Sequence, residues 1–168
     1  MNVLVTVASK HGSSEEIGRR LAAVLAENGL QSDFRKPAEV DSVDDYDAVV
    51  VGSAVYVGRW LQGAEQFIER HLPAHEAKPV WLFSSGPLDD PPHPTEAPVD
   101  AAPLSEKVGS FGHRVFSGKL DQDGLGLGER ATVKLVRAPY GDFRPWPETE
   151  SWAREVAASL TRSDEGGR

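Results

Sequence analysis

Residues 2–14, NVLVTVASKHGSS, decide the fold. Asn2 to Val7 is a short apolar run rich in valine, the pattern of a strand covered on both faces of a parallel sheet. It passes straight into Ser9-Lys10-His11-Gly12-Ser13-Ser14, and a helical period opens there. Ile17, Leu21, Val24 and Leu25 share one face of that helix, and Gly29 stops it. Strand, short polar loop and helix together make the first half of a βαβ unit.

The remaining chain repeats the alternation. Leu30 to Lys36 predicts a second strand, ended by Pro37, and the acidic stretch 38–46 leaves room for one helical turn. Asp47 to Ser53 reads as a doubly buried strand, Trp60 to Leu72 as a helix, and Lys78 to Ser85 as the fourth strand. Residues 86–103 hold six prolines and predict a long irregular loop. Leu104, Val108 and Phe111 suggest a short helix, and His113 to Leu120 the fifth strand. A Gly-rich turn over 124–128 precedes a helical stretch near 129–137. The last helix starts at Pro147, with Trp152, Val156 and Leu160 inward. This pattern predicts a doubly wound α/β domain over residues 1–162, with 163–168 as a frayed tail. Its sheet is expected to be parallel and five-stranded, in the order 2-1-3-4-5. The ligand crevice then lies beyond the carboxyl ends of strands 1 and 3.

Composition narrows the function. The net charge of -8 argues against nucleic acid, which is held through clustered Lys and Arg. There is no cysteine, so thiolate catalysis, disulfide relays and zinc–thiolate sites are excluded, and any redox chemistry needs a bound cofactor. The N-terminus lacks the pattern of a signal peptide and no run approaches the ~20 apolar residues of a membrane span, so a cytoplasmic location is expected. Asp89, Asp90 and His93 are interrupted by prolines and do not make a metal site. No side chain stands out as a catalytic acid, base or nucleophile.

The loop Ser9 to Ser14 offers backbone N–H groups and three hydroxyls at the positive end of a helix, which suits a phosphate. It is neither a Walker loop nor GxGxxG. The competing reading is purely local: Ser13-Ser14-Glu15-Glu16 also makes a capping box, and two carboxylates sit close to the supposed anion.

The loop resembles the T/S-x-T-G-x-T phosphate signature of flavodoxins, with His11 where threonine is usual. The wider runs VLVTVASKHGSSEEIGRRLA, DAVVVGSAVYVGRWLQGAEQFIERH, HRVFSGKL and GDFRPWPETESWAREVA resemble the flavodoxin-domain family that includes menaquinone-dependent protoporphyrinogen dehydrogenase. The resemblance implies a flavodoxin-like fold and flavin mononucleotide (FMN) as cofactor. It places the phosphate on Ser9, Lys10, His11, Gly12, Ser13 and Ser14. The flavin ring is expected between Ser53-Ala54-Val55-Tyr56-Val57-Gly58 and Ser85-Gly86, with Tyr56 as the stacking aromatic. Trp60 has both a ring-contact reading and a core reading.

Two functions follow. One is an FMN oxidoreductase of the quinone or protoporphyrinogen dehydrogenase type. The alternative is a flavodoxin carrying electrons between protein partners. The donor or acceptor is thus a small molecule or a protein, and the oligomeric state is open. The segment LDQDGLGLGERATVKLVR has no aromatic and argues against a membrane-quinone partner. A signalling receiver domain is rejected, because Ser9-Lys10 and Ser53-Ala54 stand where that fold needs its acidic residues.

Overall fold

A computed structural model describes residues 1–72, 78–86, 98–121, 125–136 and 140–165. Five parallel strands form the sheet: β1 (Asn2–Ala8), β2 (Gln31–Arg35), β3 (Ala48–Tyr56), β5 (Val80–Ser85) and β6 (Gly112–Phe116). Their spatial order is β2-β1-β3-β5-β6, which is the expected order counted over the parallel strands. A short β4 (Arg59–Trp60) folds back antiparallel onto the end of β3. The helices are α1 (Ser13–Glu27), α2 (Gln62–His71), α3 (Ala101–Val108), α4 (Leu127–Val136) and α5 (Trp146–Glu165).

The two faces of the sheet bury separate cores, as the period of two along each strand requires. Val3, Val5 and Val7 of β1 pack with Ile17, Leu21 and Leu25 of α1 and with Trp152, Val156 and Leu160 of α5. Leu4 and Ala8, facing the other way, join Trp60, Phe67 and Ile68 on the α2 side. Each buried valine, leucine, isoleucine or phenylalanine among them contributes about 1.5–3 kcal/mol. The first core includes a ring cluster in which Phe83 meets Phe116 and Trp152 at 5.8 and 6.1 Å between centroids. Gly52 leaves room for it: a Cβ there would lie 2.2 Å from the Phe83 ring.

Four local expectations need correction. Residues 54–60 are a β-hairpin rather than a loop, because Val57 and Gly58 both take positive φ (50° and 71°) and close a two-residue turn. The fifth strand ends at Phe116: Ser117-Gly118 breaks it, and Lys119–Leu120 becomes β7, paired antiparallel with β8 (Gly141–Asp142). α3 begins inside the proline-rich segment, at Ala101, since Pro103 falls in its first turn, where a missing N–H costs nothing. α2 begins at Gln62 rather than Trp60, because Trp60 is consumed by β4. α5 itself continues to Glu165.

Candidate functional site

The carboxyl ends of β1 and β3 open on the same side of the sheet, and a cavity of about 160 Å³ lies there. Ser9, His11, Ser13 and Glu16 line it from the β1–α1 loop and the start of α1. Ala54 and Tyr56 line it from β3, and Lys119, Leu120, Asp121 and Leu125 from the segment after β6. A volume of this size suits the phosphate-bearing end of a nucleotide better than a whole drug-sized ligand, which takes roughly 300–1,000 Å³.

The loop turns through Gly12, at φ 83°, which is the N-cap of α1. No side chain caps this helix, so the capping-box reading of Ser13 is not realised. Ser9 Oγ instead accepts the Gly12 N–H at 3.1 Å and tightens the loop on itself. A Cβ on Gly12 would meet nothing within 4 Å, so the loop is open to solvent space at that residue. Uncapped N–H groups at the positive end of a helix are an anion site. The carboxylates that stood against this are both spoken for. Glu15 pairs with Lys36 at 3.3 Å, and Glu16 with Arg144 at 2.6 Å.

Arg144 organises the approach from below. Its side chain is 5% exposed. It grips Asp142 through two hydrogen bonds of 2.8 and 2.6 Å and donates to the Ser13 carbonyl at 3.2 Å. Its guanidinium also lies 4.7 Å from the Trp146 ring centroid. These contacts raise the Arg144 pKa, with the Asp142 hydrogen bonds the largest cause, and the same bonds lower that of Asp142.

The expected residues divide by role. Ser9, His11, Ser13, Ala54 and Tyr56 meet at the cavity. Gly12 shapes the loop, and Ser14 is buried beneath it. The Ser53 hydroxyl donates to the Ala54 carbonyl and accepts the Leu61 N–H at 2.9 Å, so it braces the hairpin from inside. Val55 packs towards the α2-side core. Val57 is 95% exposed at the hairpin tip, beside Gly58. Gly86 gives its N–H to the Phe116 carbonyl, and Ser85 Oγ is buried without a hydrogen-bond partner. That orphaned hydroxyl at the end of β5 is a polar atom for a bound group to satisfy. Tyr56 keeps its ring 6.4 Å from His11, with Lys10 Nζ 5.6 Å from its centroid. Burial is the larger cause that raises its phenol pKa, with the Glu129 charge second. Trp60 is a core residue.

Lys10 and His11 both turn to one acceptor, Glu129 of α4. Glu129, Arg144, Lys119, Leu120, Asp121 and Leu125 were not expected at the site. The break at Ser117-Gly118 was their signal, since reading 113–120 as one strand hid the return of the chain to the phosphate loop. Asp89, Asp90 and His93, rejected above as a metal site, lie outside the described residues.

Comparison with known proteins agrees with this fold. Over 94% of its length the chain is 21% identical to protoporphyrinogen IX dehydrogenase [quinone] of Escherichia coli K12, covering 95% of that protein. It superimposes on a flavodoxin from the domain Archaea with a TM-score of 0.64 at 15% identity, covering 96% of this chain and 99% of the other. A cysteine-to-serine mutant of a flavodoxin from Pseudomonas aeruginosa gives the same TM-score at 19% identity, with the same coverage. The model of the flavodoxin domain matches residues 4–144, and the chain belongs to the flavodoxin-domain family.

Proposed function

We propose that this protein is an FMN-dependent oxidoreductase of the quinone or protoporphyrinogen dehydrogenase type. Membership of the flavodoxin-domain family makes FMN its cofactor and electron transfer its chemistry. When bound, FMN supplies the redox centre, which a chain without cysteine otherwise lacks. The observation that carries the reading is the uncapped start of α1, where the chain turns at Gly12 with φ 83° and Ser9, His11 and Ser13 line the cavity.

Here the first residues of α1, 13–15, offer N–H groups to the phosphate, and the Ser9, Ser13 and Ser14 hydroxyls add hydrogen bonds. Glu16 is neutralised by Arg144 and so does not repel the anion strongly. The β3–β4 hairpin and Ser85-Gly86 bound the flat ring, with Tyr56 as the stacking side chain. The backbone and side chains bind and orient; no acid–base residue of the chain is assigned to the reaction. A substrate of the quinone type is favoured by the E. coli relative, which is named for that chemistry and spans the same length. Among the described residues no helix is long and apolar enough to cross a membrane.

The second reading, a carrier shuttling electrons between proteins, is favoured by the likeness to flavodoxins and by the net charge of -8. Two measurements separate the possibilities. Titration of the purified protein with FMN and with riboflavin tests the phosphate loop, and equal affinities sink that assignment. Steady-state assays with menaquinone analogues, protoporphyrinogen and a cytochrome test the reaction. Turnover with the quinone or the porphyrinogen supports an enzyme, and reduction of the cytochrome alone supports a carrier.

A further inference from the structure

The phosphate loop already holds an anion that belongs to the chain. Lys10 Nζ and His11 Nε2 both bond Glu129 Oε1, the histidine at 3.1 Å. The other carboxylate oxygen accepts the Gly126 N–H at 2.9 Å, so the carboxylate cannot swing away without uncapping the turn that starts α4. Three donors thus converge on Glu129, and they hold its pKa at about 2, the Lys10 hydrogen bond first among the causes. The carboxylate is therefore charged throughout the neutral range.

Among the described side chains of α4 none is buried and none belongs to a core cluster. Leu127 at its start is 87% exposed. The contacts of Glu129 with Lys10 and His11 are consequently a principal link between α4 and the β1–α1 loop. They also engage the Lys10 ammonium and the His11 ring nitrogen beside the phosphate loop. Arg144 and Lys36 are engaged by Glu16 and Glu15.

We propose that Glu129 is a specificity-determining residue of the cofactor site, a resident carboxylate that competes with the ligand phosphate for Lys10 and His11 and so limits how much the phosphate adds to affinity. The inference rests on the FMN reading of the loop. A dianionic phosphate entering beside the α1 terminus meets a fixed negative charge and finds Lys10 committed elsewhere. Removing the charge while keeping the shape relieves the repulsion and frees the ammonium for the phosphate. Glu129→Gln does this, because its amide oxygen can still accept the Gly126 N–H. Riboflavin, which has no phosphate, is indifferent to the change.

The test measures dissociation constants of FMN and riboflavin by flavin fluorescence for wild type, Glu129→Gln, Lys10→Gln and the double variant. Urea unfolding of each protein checks the fold. Glu129→Gln is expected to bind FMN about three- to tenfold more tightly, as loss of one nearby like charge and gain of one cation predict. Riboflavin affinity is expected to stay within twofold. Lys10→Gln should weaken FMN more in the Glu129→Gln background than in wild type, because only there is the ammonium free. A purely structural bridge would not produce that ordering. Weaker FMN binding by Glu129→Gln, equal change for both flavins, or an equal cost of Lys10→Gln in the two backgrounds overturns the proposal. Wild-type protein that fails to discriminate FMN from riboflavin overturns the phosphate-loop reading as well. Discrimination in wild type without tightening in Glu129→Gln overturns this proposal alone.

Discussion

The indole N–H of Trp60 donates to Ser84 Oγ at 2.8 Å, tying the β3–β4 hairpin to the carboxyl end of β5. Both residues are buried, and the same hydroxyl meets His113 Nε2 at 2.8 Å. Ser84 receives the indole proton and gives its own to an unprotonated ring nitrogen, an arrangement that satisfies all three groups. Ser84→Ala strands two of them in the interior. The expected loss is about 1–3 kcal/mol, read by urea unfolding. An unchanged midpoint would show that the triad does not anchor the hairpin.

The same triad predicts a pH dependence. Burial lowers the His113 pKa below its ordinary 6.5, so the folded state binds a proton less readily than the unfolded chain. The contribution of His113 is fully present above pH 6.5 and is lost as pH falls through the lowered folded value. His113→Gln should flatten this part of the stability profile. A variant that still loses stability on acidification as steeply as wild type assigns the slope to other groups.

Glu65 and Asp100 govern the other side of the hairpin. Asp100 Oδ2 accepts the Trp60 N–H at 2.8 Å, and no N–H or hydroxyl of the described residues serves its buried Oδ1, so that a protonated Glu65 is the donor it can gain. The neighbouring Glu65 has a raised pKa, from burial first and then from the charge and hydrogen bond of Asp100; Arg59 opposes the rise and Glu69 adds to it. A raised folded pKa favours folding below the unfolded carboxylate value near 4.5, and that contribution fades as pH climbs through the raised value. Glu65→Gln keeps a donor for Asp100 at every pH. It should stabilise the protein by about 1 kcal/mol near neutral pH, one net hydrogen bond, and by little in acid where Glu65 carries its own proton. Equal gains under the two conditions contradict the shared proton.

Arg144 is the cation whose removal should be felt both in the fold and at the site. Arg144→Met leaves Asp142 and Glu16 without their partner and releases the Ser13 carbonyl. Both carboxylates are partly exposed, which reduces the penalty, so about 2 kcal/mol is expected rather than the roughly 3–5 of a fully buried pair. FMN affinity should fall with it, because Glu16 then faces the cavity unneutralised. Tighter FMN binding in Arg144→Met would contradict this.

Val57 holds φ 50° at an exposed tip, a conformation that costs a β-branched residue about 1–2 kcal/mol. Asn-Gly is the preferred pair for such a turn. Val57→Asn should therefore raise stability by about 1 kcal/mol, recovering part of that cost. If the valine is retained for ring packing, FMN affinity falls in the same variant. A stability loss would show that the turn is not strained.

The alternation of strands and helices was legible from periodicity, and five strands in a chain of this size fitted the order 2-1-3-4-5. Valine-rich runs at 2–7 and 47–53 can only be doubly covered strands, and helical periods between strands force right-handed crossovers on both faces. The loop at Ser9 to Ser14 was visible for the same reason, since it begins where one period ends and the other starts. Local sequence misassigned residues 54–60 and 113–120, because a β-branched Val57 disfavours the turn it occupies and a two-residue break inside an apolar run carries little signal. The N-cap of α1 also needed the structure: Ser13 has the chemistry to cap, but the chain turns one residue earlier at Gly12, where φ 83° is free of steric cost. Glu129 and Arg144 lie more than a hundred residues from the loop they touch. Only packing brings them there, because a salt bridge depends on distance in space, and nothing in the order of residues along the chain records it.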